Sequence, residues 1–381
     1  MPFHLPSISE EDIQAVVEAL RSGWLTMGPR VQEFEQQFAA FAGTRYAIAV
    51  NSCTAALHLA LEAAGVREGD EVLVPAMTFA ATAEVVVYLH AIPRIVDCDP
   101  VTFNIDPAAA ERAIGPRTRA IIPVHFAGLP CEMDAIMDLA ARHSLTVIDD
   151  AAHALPAAYR GRRVGQIADM TAFSFYATKT ITTGEGGMVT TDREDLARRM
   201  TVMRLHGASR DAWKRYTAEG SWYYEIIDAG FKYNLTDPAA ALGIQQLKRH
   251  EAFWQARSRI ADIYNAGFAD LPEIVRPPDG TDVQHARHLY VIQLVLDRLT
   301  VGRNVVIEDL KQEGIGTSVH FIPLHLHPYY RDTYGYTPDM LPVASAAYER
   351  IVSLPIYPGM SDADANDVVE AVRRVVARRR R

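Results

Sequence analysis

Hydrophobic and polar positions along the chain repeat with the two spacings that distinguish helices from strands. Apolar residues from Ile13 to Leu20 recur on one face of a helix, which we predict to begin at Ser9 and to end at Gly23. The next segment, Trp24–Pro29, has no regular spacing. We interpret it as a tight loop that packs its tryptophan.

Beyond this loop, short strands and helices alternate. The predicted strands are 46–50, 71–74, 94–96, 119–124 and 145–148, and the predicted helices are 54–64, 79–90, 107–114 and 133–143. Such alternation is typical of βαβ units and predicts a mostly parallel sheet with helices on both faces. Ligands bind beyond the carboxyl ends of the strands in sheets of this kind, so we expect a site at that edge.

The pattern changes after Asp237. One long helix is predicted from Pro238 to about Ile263, followed by a strand at 288–296, an extended segment at 316–321 and helices at 304–313, 342–351 and 362–379. We therefore predict an α/β protein with two domains. A large three-layer αβα domain would cover residues 1–250, and a smaller α+β domain would cover residues 251–381.

Composition restricts the location and the partners of the chain. A net charge of −9 makes a nucleic-acid partner unexpected. The widely spaced Cys53, Cys98 and Cys131 favour a reducing compartment over a disulfide framework. Without a signal-peptide pattern or a bilayer-length apolar run, the sequence predicts a cytoplasmic protein that does not enter membranes. The basic run Arg378–Arg381 is interpreted as a solvated, frayed tail.

Two strand ends carry residues that suit one kind of chemistry. Asp149 and Asp150 end the strand at 145–148, and Lys179 follows the apolar run 171–175 just before a glycine cluster. A lysine can form a Schiff base with a carbonyl, and a carboxylate can keep a pyridine nitrogen protonated. These are the two requirements of a pyridoxal phosphate (PLP) site. A solvated lysine and acids that cap the next turn are the alternative interpretation.

Other residues near the predicted edge have two interpretations each. Asn51–Thr54 lies between a strand and a helix start, where free amides bind phosphate, although simple capping explains it equally well. Phe79 is either a core residue or a ring that stacks on the cofactor. His153 is either a core histidine or a contact of the cofactor's phenolic oxygen.

Three histidines, His320, His325 and His327, raise the question of a metal site. Pro323 interrupts their spacing, and no acidic or cysteine ligand stands beside them. We therefore predict no metal, and the histidines could equally line a polar substrate cleft between the domains.

Taken together, eight sequence blocks resemble the DegT/StrS family of PLP-dependent nucleotide-sugar aminotransferases. They occur in the family's order along essentially the whole chain. The blocks are GWLTMGP (23–29), NSCTAALHLAL (51–61), PAMTF (75–79), VIDDAAHA (147–154), SFYATK (174–179), TTGEGG (182–187), GFKYNLTD (230–237) and SLPIYP (353–358). Within the family, the blocks resemble in particular those of enzymes that aminate C4 of UDP-4-keto sugars, such as the UDP-4-amino-4-deoxy-arabinose synthase group.

This resemblance implies a fold-type-I aminotransferase that forms a homodimer with shared active sites. It implies transfer of an amino group from L-glutamate to a keto carbon, C4, of a nucleotide-diphosphate keto sugar, through pyridoxamine phosphate. By motif position, Lys179 would form the Schiff base and Asp150 would pair with the pyridine nitrogen. Tyr176 and Thr180 depart from the His and Asn common in the family, which would alter substrate fit.

The resemblance also implies a set of binding residues. His153 would lie near the phenolic oxygen, and Phe79 would stack on the ring. The expected phosphate contacts are Cys53, Thr54 and Ser174, with Asn234 from the neighbouring subunit. We expect the sugar and nucleotide pocket to be shaped by Trp24–Pro29, His320–His327 and the aromatic segment Trp213–Tyr224, with Thr26, Met27, Tyr176, His320 and His325 as the expected contacts.

Four other functions are alternative interpretations of the sequence. A C3 aminotransferase of the same family differs only in regiochemistry. A sugar 3-dehydrase would have histidine in place of Lys179, and the intact Lys179 and Asp150 argue against a non-catalytic nucleotide-sugar binding or regulatory homologue. A nicotinamide dehydrogenase would need GxGxxG after the first strand, and the segment 51–56 contains no glycine.

Overall fold

The computed structural model describes residues 1–208 and 223–381. Its strands are β1 (Tyr46–Val50), β2 (Glu71–Pro75), β3 (Ile92–Val96), β4 (Thr118–Ile121), β5 (Thr146–Asp150), β6 (Ala158–Tyr159), β7 (Arg162–Arg163), β8 (Met170–Ser174), β9 (Gly187–Thr191), β10 (Ile274–Val275), β11 (Val283–Gln284), β12 (Tyr290–Leu294) and β13 (Ile351–Leu354). Its α-helices are α1 (Glu10–Arg21), α2 (Pro29–Ala42), α3 (Cys53–Ala63), α4 (Ala81–Tyr88), α5 (Pro107–Ala113), α6 (Met133–His143), α7 (Glu194–Met203), α8 (Asp237–Lys248), α9 (His250–Gly267), α10 (Arg303–Gln312), α11 (Pro328–Tyr334), α12 (Pro342–Tyr348) and α13 (Asp362–Arg379). None of the described helices has both the length and the apolar character needed to cross a membrane.

A seven-stranded sheet in the order β1-β9-β8-β5-β4-β2-β3 forms the centre of the molecule. The pairs from β8 to β3 are parallel, whereas β9 is antiparallel to both of its neighbours. The predicted mostly parallel sheet is therefore confirmed, together with the α/β class. The antiparallel strand β9 was not predicted.

Strand register brings the two candidate segments together. Asp150, the last residue of β5, lies beside Ala172 of β8 in parallel register. Both strands therefore end at the same edge of the sheet, and β8 continues there through Ser174 towards Lys179. This is the edge at which a ligand site is expected in a parallel sheet.

Helix α2 was not predicted, although its apolar residues have helical spacing. Phe34 and Phe38 are fully buried on its inner face. The ring of Phe34 packs against that of Phe175, just beyond β8, with centroids 5.2 Å apart. The ring of Phe38 packs against that of Phe173, near the end of β8, with centroids 5.0 Å apart. Aromatic pairs at this separation stabilise a core beyond their buried area. The helix thus supports the strand that leads to Lys179.

The single long helix predicted from Pro238 to about Ile263 is wrong in one respect. The chain forms two helices, α8 and α9, which are separated at Arg249 (φ −102°, ψ 3°). The Arg249 guanidinium bonds to the buried carboxylate of Asp12 and to the carbonyl of Ser7 near the N-terminus. A tertiary contact therefore fixes the break, which helical spacing alone does not reveal.

A second core lies in the C-terminal part of the chain. The antiparallel sheet β10-β12-β13 packs with α9, α10 and α13 around buried aliphatic and aromatic residues. The predicted extended segment at 316–321 forms a single bridge, between Ser318 and Ser353 beside β13, rather than a strand. A domain boundary at residue 250 stays a prediction.

The frayed tail predicted for Arg378–Arg381 is wrong. Helix α13 continues to Arg379. Three consecutive arginines pair with acids at 2.7 Å: Arg378 with Glu313, Arg379 with Asp309, and Arg380 with Glu273. These acids come from elsewhere in the second core, so local charge could not reveal them.

Candidate active site

A cavity of about 650 Å³ opens at the carboxyl edge of the large sheet. Segments that are distant in sequence contribute its walls. They include Phe3, His4, Ser52, Cys53, Thr54, Thr78, Phe79, Thr82, Asp150, His153, Ser174, Tyr176, Lys179, His288, Ser318, His320, Phe321 and Ile356. Nine predicted site residues are thus brought together: Cys53, Thr54, Phe79, Asp150, His153, Ser174, Tyr176, Lys179 and His320.

Lys179 lies in the turn that follows β8. Its backbone amide donates a hydrogen bond of 2.9 Å to the carbonyl of Tyr176, which closes the turn. Burial lowers the pKa of the Lys179 amine, and the opposing effect of Asp150 is smaller. Because only the neutral amine is a nucleophile, this shift favours covalent chemistry with a carbonyl.

Asp150 presents a buried carboxylate to the cavity. Its Oδ2 accepts a hydrogen bond of 2.8 Å from the hydroxyl of Thr82, and its Oδ1 accepts one of 3.1 Å from the amide of Ala152. Burial raises the pKa of Asp150, and these two hydrogen bonds oppose the shift. No Lys, Arg or His of the described residues lies within 4.0 Å of this carboxylate, so it can accept a cationic ligand group.

Asp149 lies on the other side of the same strand. Its carboxylate is fully buried, and one oxygen is 3.5 Å from Nε2 of His125. The amide of Cys131 donates to Nδ1 of that ring, so Nε2 carries the proton that faces Asp149. Since side chains alternate along a strand, only Asp150 of the two acids lines the cavity.

Opposite these residues, the start of α3 forms a site with free amides. Ser52 caps the helix by accepting a hydrogen bond of 3.0 Å from the amide of Ala55. Within the described part of the chain, the amides of Cys53 and Thr54 make no backbone hydrogen bond outside the helix. Gly187 passes so close that a Cβ there would lie 2.5 Å from the carbonyl of Ser52. The close approach holds the helix start beside the cavity, where it can bind an anion.

Phe79 is at the cavity mouth rather than in the core. Its side chain is 64% exposed, which excludes the core interpretation. Its ring lies 6.3 Å from that of Phe321, and Phe321 stacks on His153 at 5.8 Å with an angle of 14°. His153 is buried. Its pKa is well below the usual value, chiefly because of this burial and then because of Lys179 and His320. It therefore faces the cavity as a neutral imidazole.

Two predicted binding residues lie outside this cavity. Asn234 forms a bridge with Val50, and its Oδ1 accepts a hydrogen bond of 2.5 Å from the Lys232 amine. His325 is fully buried, with Nε2 at 2.9 Å from the hydroxyl of Ser345. Neither contributes to the cavity wall of its own chain.

The predicted loop Trp24–Pro29 also lies away from the cavity of its own chain. The Trp24 indole donates a hydrogen bond of 3.1 Å to the carbonyl of Met27, which confirms the packed tryptophan. The carbonyl of Thr26 accepts from the amide of Asp237 at 3.1 Å, so the loop is attached to α8. Residues 213–222 of the predicted aromatic segment Trp213–Tyr224 lie outside the described residues.

The geometry agrees with the comparisons to known proteins. A sequence model of the DegT/DnrJ/EryC1/StrS aminotransferase family matches residues 6–373. The chain belongs to this family.

Similarity to individual members of the DegT/DnrJ/EryC1/StrS family extends along the whole chain. SpsC, a spore coat polysaccharide biosynthesis protein of Bacillus subtilis, is 51% identical over 99% of this chain and 97% of its own length. Spr1654 of Streptococcus pneumoniae, solved in PLP and PMP forms, is 34% identical, with a TM-score of 0.93 and coverage of 99% and 98% in its PMP form. PseC of Helicobacter pylori, an aminotransferase involved in the biosynthesis of pseudoaminic acid, is 29% identical, with a TM-score of 0.92 and 99% coverage of each chain.

These findings confirm a PLP-dependent sugar aminotransferase of fold type I. The cavity has the groups that PLP requires. Lys179 offers an amine of lowered pKa for the aldehyde. Asp150 offers the ring nitrogen a carboxylate that has no cationic partner among the described residues. The start of α3 offers backbone amides for the phosphate. The residues present therefore fit the cofactor.

Proposed function

We propose that the protein transfers an amino group from L-glutamate to the C4 keto carbon of a nucleotide-diphosphate sugar, in two half-reactions. The proposal rests on one observation. Lys179 and Asp150 line the same cavity at the carboxyl edge of the sheet. The C4 assignment rests on the resemblance of the sequence blocks to enzymes that aminate this position. A C3 aminotransferase is the second candidate.

We propose Lys179 and Asp150 as the catalytic residues, with the cofactor held by the wall between them. Bound PLP supplies an electron-accepting ring that stabilises negative charge on the reacting carbon. Asp150 would keep the ring nitrogen protonated, and Thr82 and Ala152 hold its carboxylate in place. Among the residues that line the cavity, Cys53, Thr54 and Ser174 would hold the phosphate, His153 would contact the phenolic oxygen, and Phe79 would cover the ring.

Lys179 moves the protons. Once its amine is free, Nζ takes a proton from the α-carbon of the amino donor as a general base. In the second half-reaction it returns a proton to the sugar carbon that receives the amine. Burial lowers the pKa of Lys179, so its amine loses its proton more readily and can accept one from the donor carbon.

The nucleotide sugar is the proposed acceptor, and the mouth of the cavity suits it. Tyr176 is 47% exposed and Phe79 is 64% exposed, so aromatic surface is available to sugar or base. The assignment of SpsC to polysaccharide biosynthesis and of PseC to pseudoaminic acid biosynthesis supports an amino-sugar product. We place the enzyme in the cytoplasm, supported by the free thiols of Cys98 and Cys131.

A homodimer with shared sites is part of the proposal. Leu20 and Leu25 are each more than half exposed, which leaves apolar surface at the loop Trp24–Pro29 and at the end of the helix before it. Asn234, Thr26 and Met27 lie outside the cavity of their own chain. A second copy that covers this surface would allow these residues to reach the neighbouring site.

A substrate panel tests the proposed function. Purified PLP-loaded protein would be given L-glutamate with 4-keto or 3-keto nucleotide sugars carrying UDP, dTDP or GDP. The release of 2-oxoglutarate scores each acceptor, and NMR of the product gives the aminated carbon. We expect turnover with a 4-keto sugar and none in the Lys179→Ala control. Amination at C3 alone would contradict the C4 assignment.

A further inference from the structure

One wall of the cavity consists of four histidines. This imidazole wall, formed by His4, His153, His288 and His320, lies around the inner end of the cavity near Lys179. The rings of His153 and His288 are in contact, with centroids 4.4 Å apart. The buried Nδ1 atoms of both rings have no hydrogen-bond partner among the described residues. Buried polar atoms without internal partners are suited to binding a polar ligand.

A buried arginine lies directly behind the imidazole wall. Arg257 is fully buried, and its Nη1 donates to the carbonyls of His288 at 3.1 Å and Ile356 at 2.7 Å. Its Nε and Nη2 are buried without partners, and no carboxylate of the described residues forms an ion pair with it. A buried cation without a counter-charge is unfavourable, so a nearby anion would stabilise it.

The wall lies close to the buried guanidinium of Arg257 and to Lys179. The pKa of His4 is lowered to about 4, chiefly by burial and then by the neighbouring Arg257 and Lys179. The pKa of His288 is well below its usual value, chiefly because of burial and then because of His153, Lys179, Arg257 and His320. No carboxylate of the described residues is among the groups that shift any of the four rings. This end of the cavity is therefore electropositive although its imidazoles are neutral.

The hydrogen-bond donors of the wall are not all free. His320 places Nδ1 at 2.9 Å from the hydroxyl of Ser353, so its other nitrogen is the one that faces the cavity. Nε2 of His4 is buried without a partner among the described residues. His288 has no side-chain partner among the described residues. Because a neutral imidazole carries one N–H, His288 and His320 can each direct one donor at a ligand.

Resting on the proposed function, we infer that the imidazole wall binds the carboxylate of the amino-acid donor, with His288 and His320 as donors and Arg257 as the buried counter-charge. The phosphate of the cofactor has its own place at the start of α3, and the bulky nucleotide sugar has the exposed aromatic mouth. The histidine wall, in which His153 and His288 are buried, remains for a small anion. A carboxylate bound there would place the α-carbon of the donor near Lys179.

Binding of an unreactive dicarboxylate tests this inference without turnover. Glutarate has the carboxylates of glutamate but no amine, and glutaramide has the same length without charge. We expect calorimetric titration of the PLP-loaded wild-type protein to give at least about tenfold tighter binding of glutarate than of glutaramide. Equal affinities would overturn the inference.

Variants locate the bound carboxylate. We expect His288→Asn and Arg257→Met each to weaken glutarate binding at least about tenfold and to raise the KM for glutamate more than they lower kcat. Arg259→Met is the matched control, because Arg259 lies on the same helix, half-exposed and paired with Asp362, and should keep wild-type affinity. If Arg257→Met does not fold, the glutarate affinity of His288→Asn alone tests the inference. An unchanged glutarate affinity in that variant would overturn it.

The same variants separate this inference from the proposed function. UDP, titrated into wild-type and His288→Asn protein, should bind both equally. A loss of UDP affinity with glutarate affinity intact would assign the wall to the nucleotide and contradict the inference. Failure of every nucleotide sugar in the substrate panel would refute the proposed acceptor but would leave the glutarate result unchanged.

Discussion

The hydroxyl of Thr82 donates a hydrogen bond of 2.8 Å to Oδ2 of Asp150. The two residues come from different connections at the sheet edge, since Thr82 is in the first turn of α4 and Asp150 ends β5. Thr82 is in turn 2.7 Å from the hydroxyl of Thr78. This chain of hydroxyl groups orients the carboxylate that we assign to the cofactor's ring nitrogen, and it opposes the effect of burial on the Asp150 pKa.

Thr82→Val should move the acidic limb of the pH–rate profile to higher pH. Asp150 acts as a carboxylate, and the Thr82 hydrogen bond lowers its pKa. Its loss therefore raises that pKa, so activity should be lost at a higher pH as the solution is acidified. The pH dependence of kcat/KM measures the shift, and Thr82→Ser is the control that keeps the hydroxyl. An acidic limb that is the same in both variants would show that Thr82 does not act on Asp150.

Asp150→Asn should reduce kcat by at least about a hundredfold, the typical effect of removing one electrostatic contact to a transition state. Cofactor loss should be modest, because the amide occupies the same space and the amine of Lys179 is unchanged. Steady-state kinetics and the cofactor content of the purified variant separate the two effects. Wild-type turnover would mean that another acid has this role.

The positions of the proposed catalytic pair could be predicted because they depend on local patterns. Asp150 ends an apolar strand, and Lys179 follows another, so the expectation that parallel strands end at one edge placed both residues correctly. The helix that begins at Ser9 was also predicted, and its capping box with Asp12 confirms the local signal.

Residues that depend on tertiary contacts were missed. Thr82, His4 and His288 line the cavity, yet none stands at a position that strand or helix spacing distinguishes. Arg257 reads as one more charge on the surface of a long helix, although it is fully buried behind His288. Their positions are set by packing between segments far apart in sequence, which the local spacing of apolar and polar residues does not reveal.

Gly187→Ala should damage the cofactor site. A Cβ at Gly187 would lie 2.5 Å from the carbonyl oxygen of Ser52 and 2.8 Å from the amide nitrogen of Cys53, and backbone atoms cannot rotate away. We expect a loss of about 1–3 kcal/mol in the free energy of unfolding and weaker PLP binding. Thermal melts and PLP titration measure these effects.

Gly302→Ala is the matched control for this prediction, because a Cβ there meets nothing within 4 Å and the backbone φ is −84°. It should leave PLP binding unchanged and lower the free energy of unfolding by no more than about 1 kcal/mol, because Gly302 is the N-cap of α10 and Ala is a poorer cap than Gly. If Gly187→Ala bound PLP as tightly as Gly302→Ala, the start of α3 would not be the phosphate site.

Mixing two inactive variants tests the shared site. We expect Asn234→Ala and Lys179→Ala each to lose activity as homodimers. After subunit exchange, a mixed dimer has one site with the Lys179 of one chain and the Asn234 of the other, both intact. Activity should therefore reappear on mixing, measured as 2-oxoglutarate release. A mixture that stays inactive although mixed dimers are detected would place Asn234 and Lys179 of the same chain in one site.

The most direct test of the central claim is to trap the bond between the cofactor and the protein. PLP-loaded enzyme would be reduced with borohydride, digested, and the peptides sequenced by mass spectrometry, with Lys179→Arg treated in parallel. The account predicts one PLP-modified peptide in the wild type, with the adduct on Lys179, and none in the variant. An adduct on another lysine, or an unmodified Lys179 in active enzyme, would contradict it.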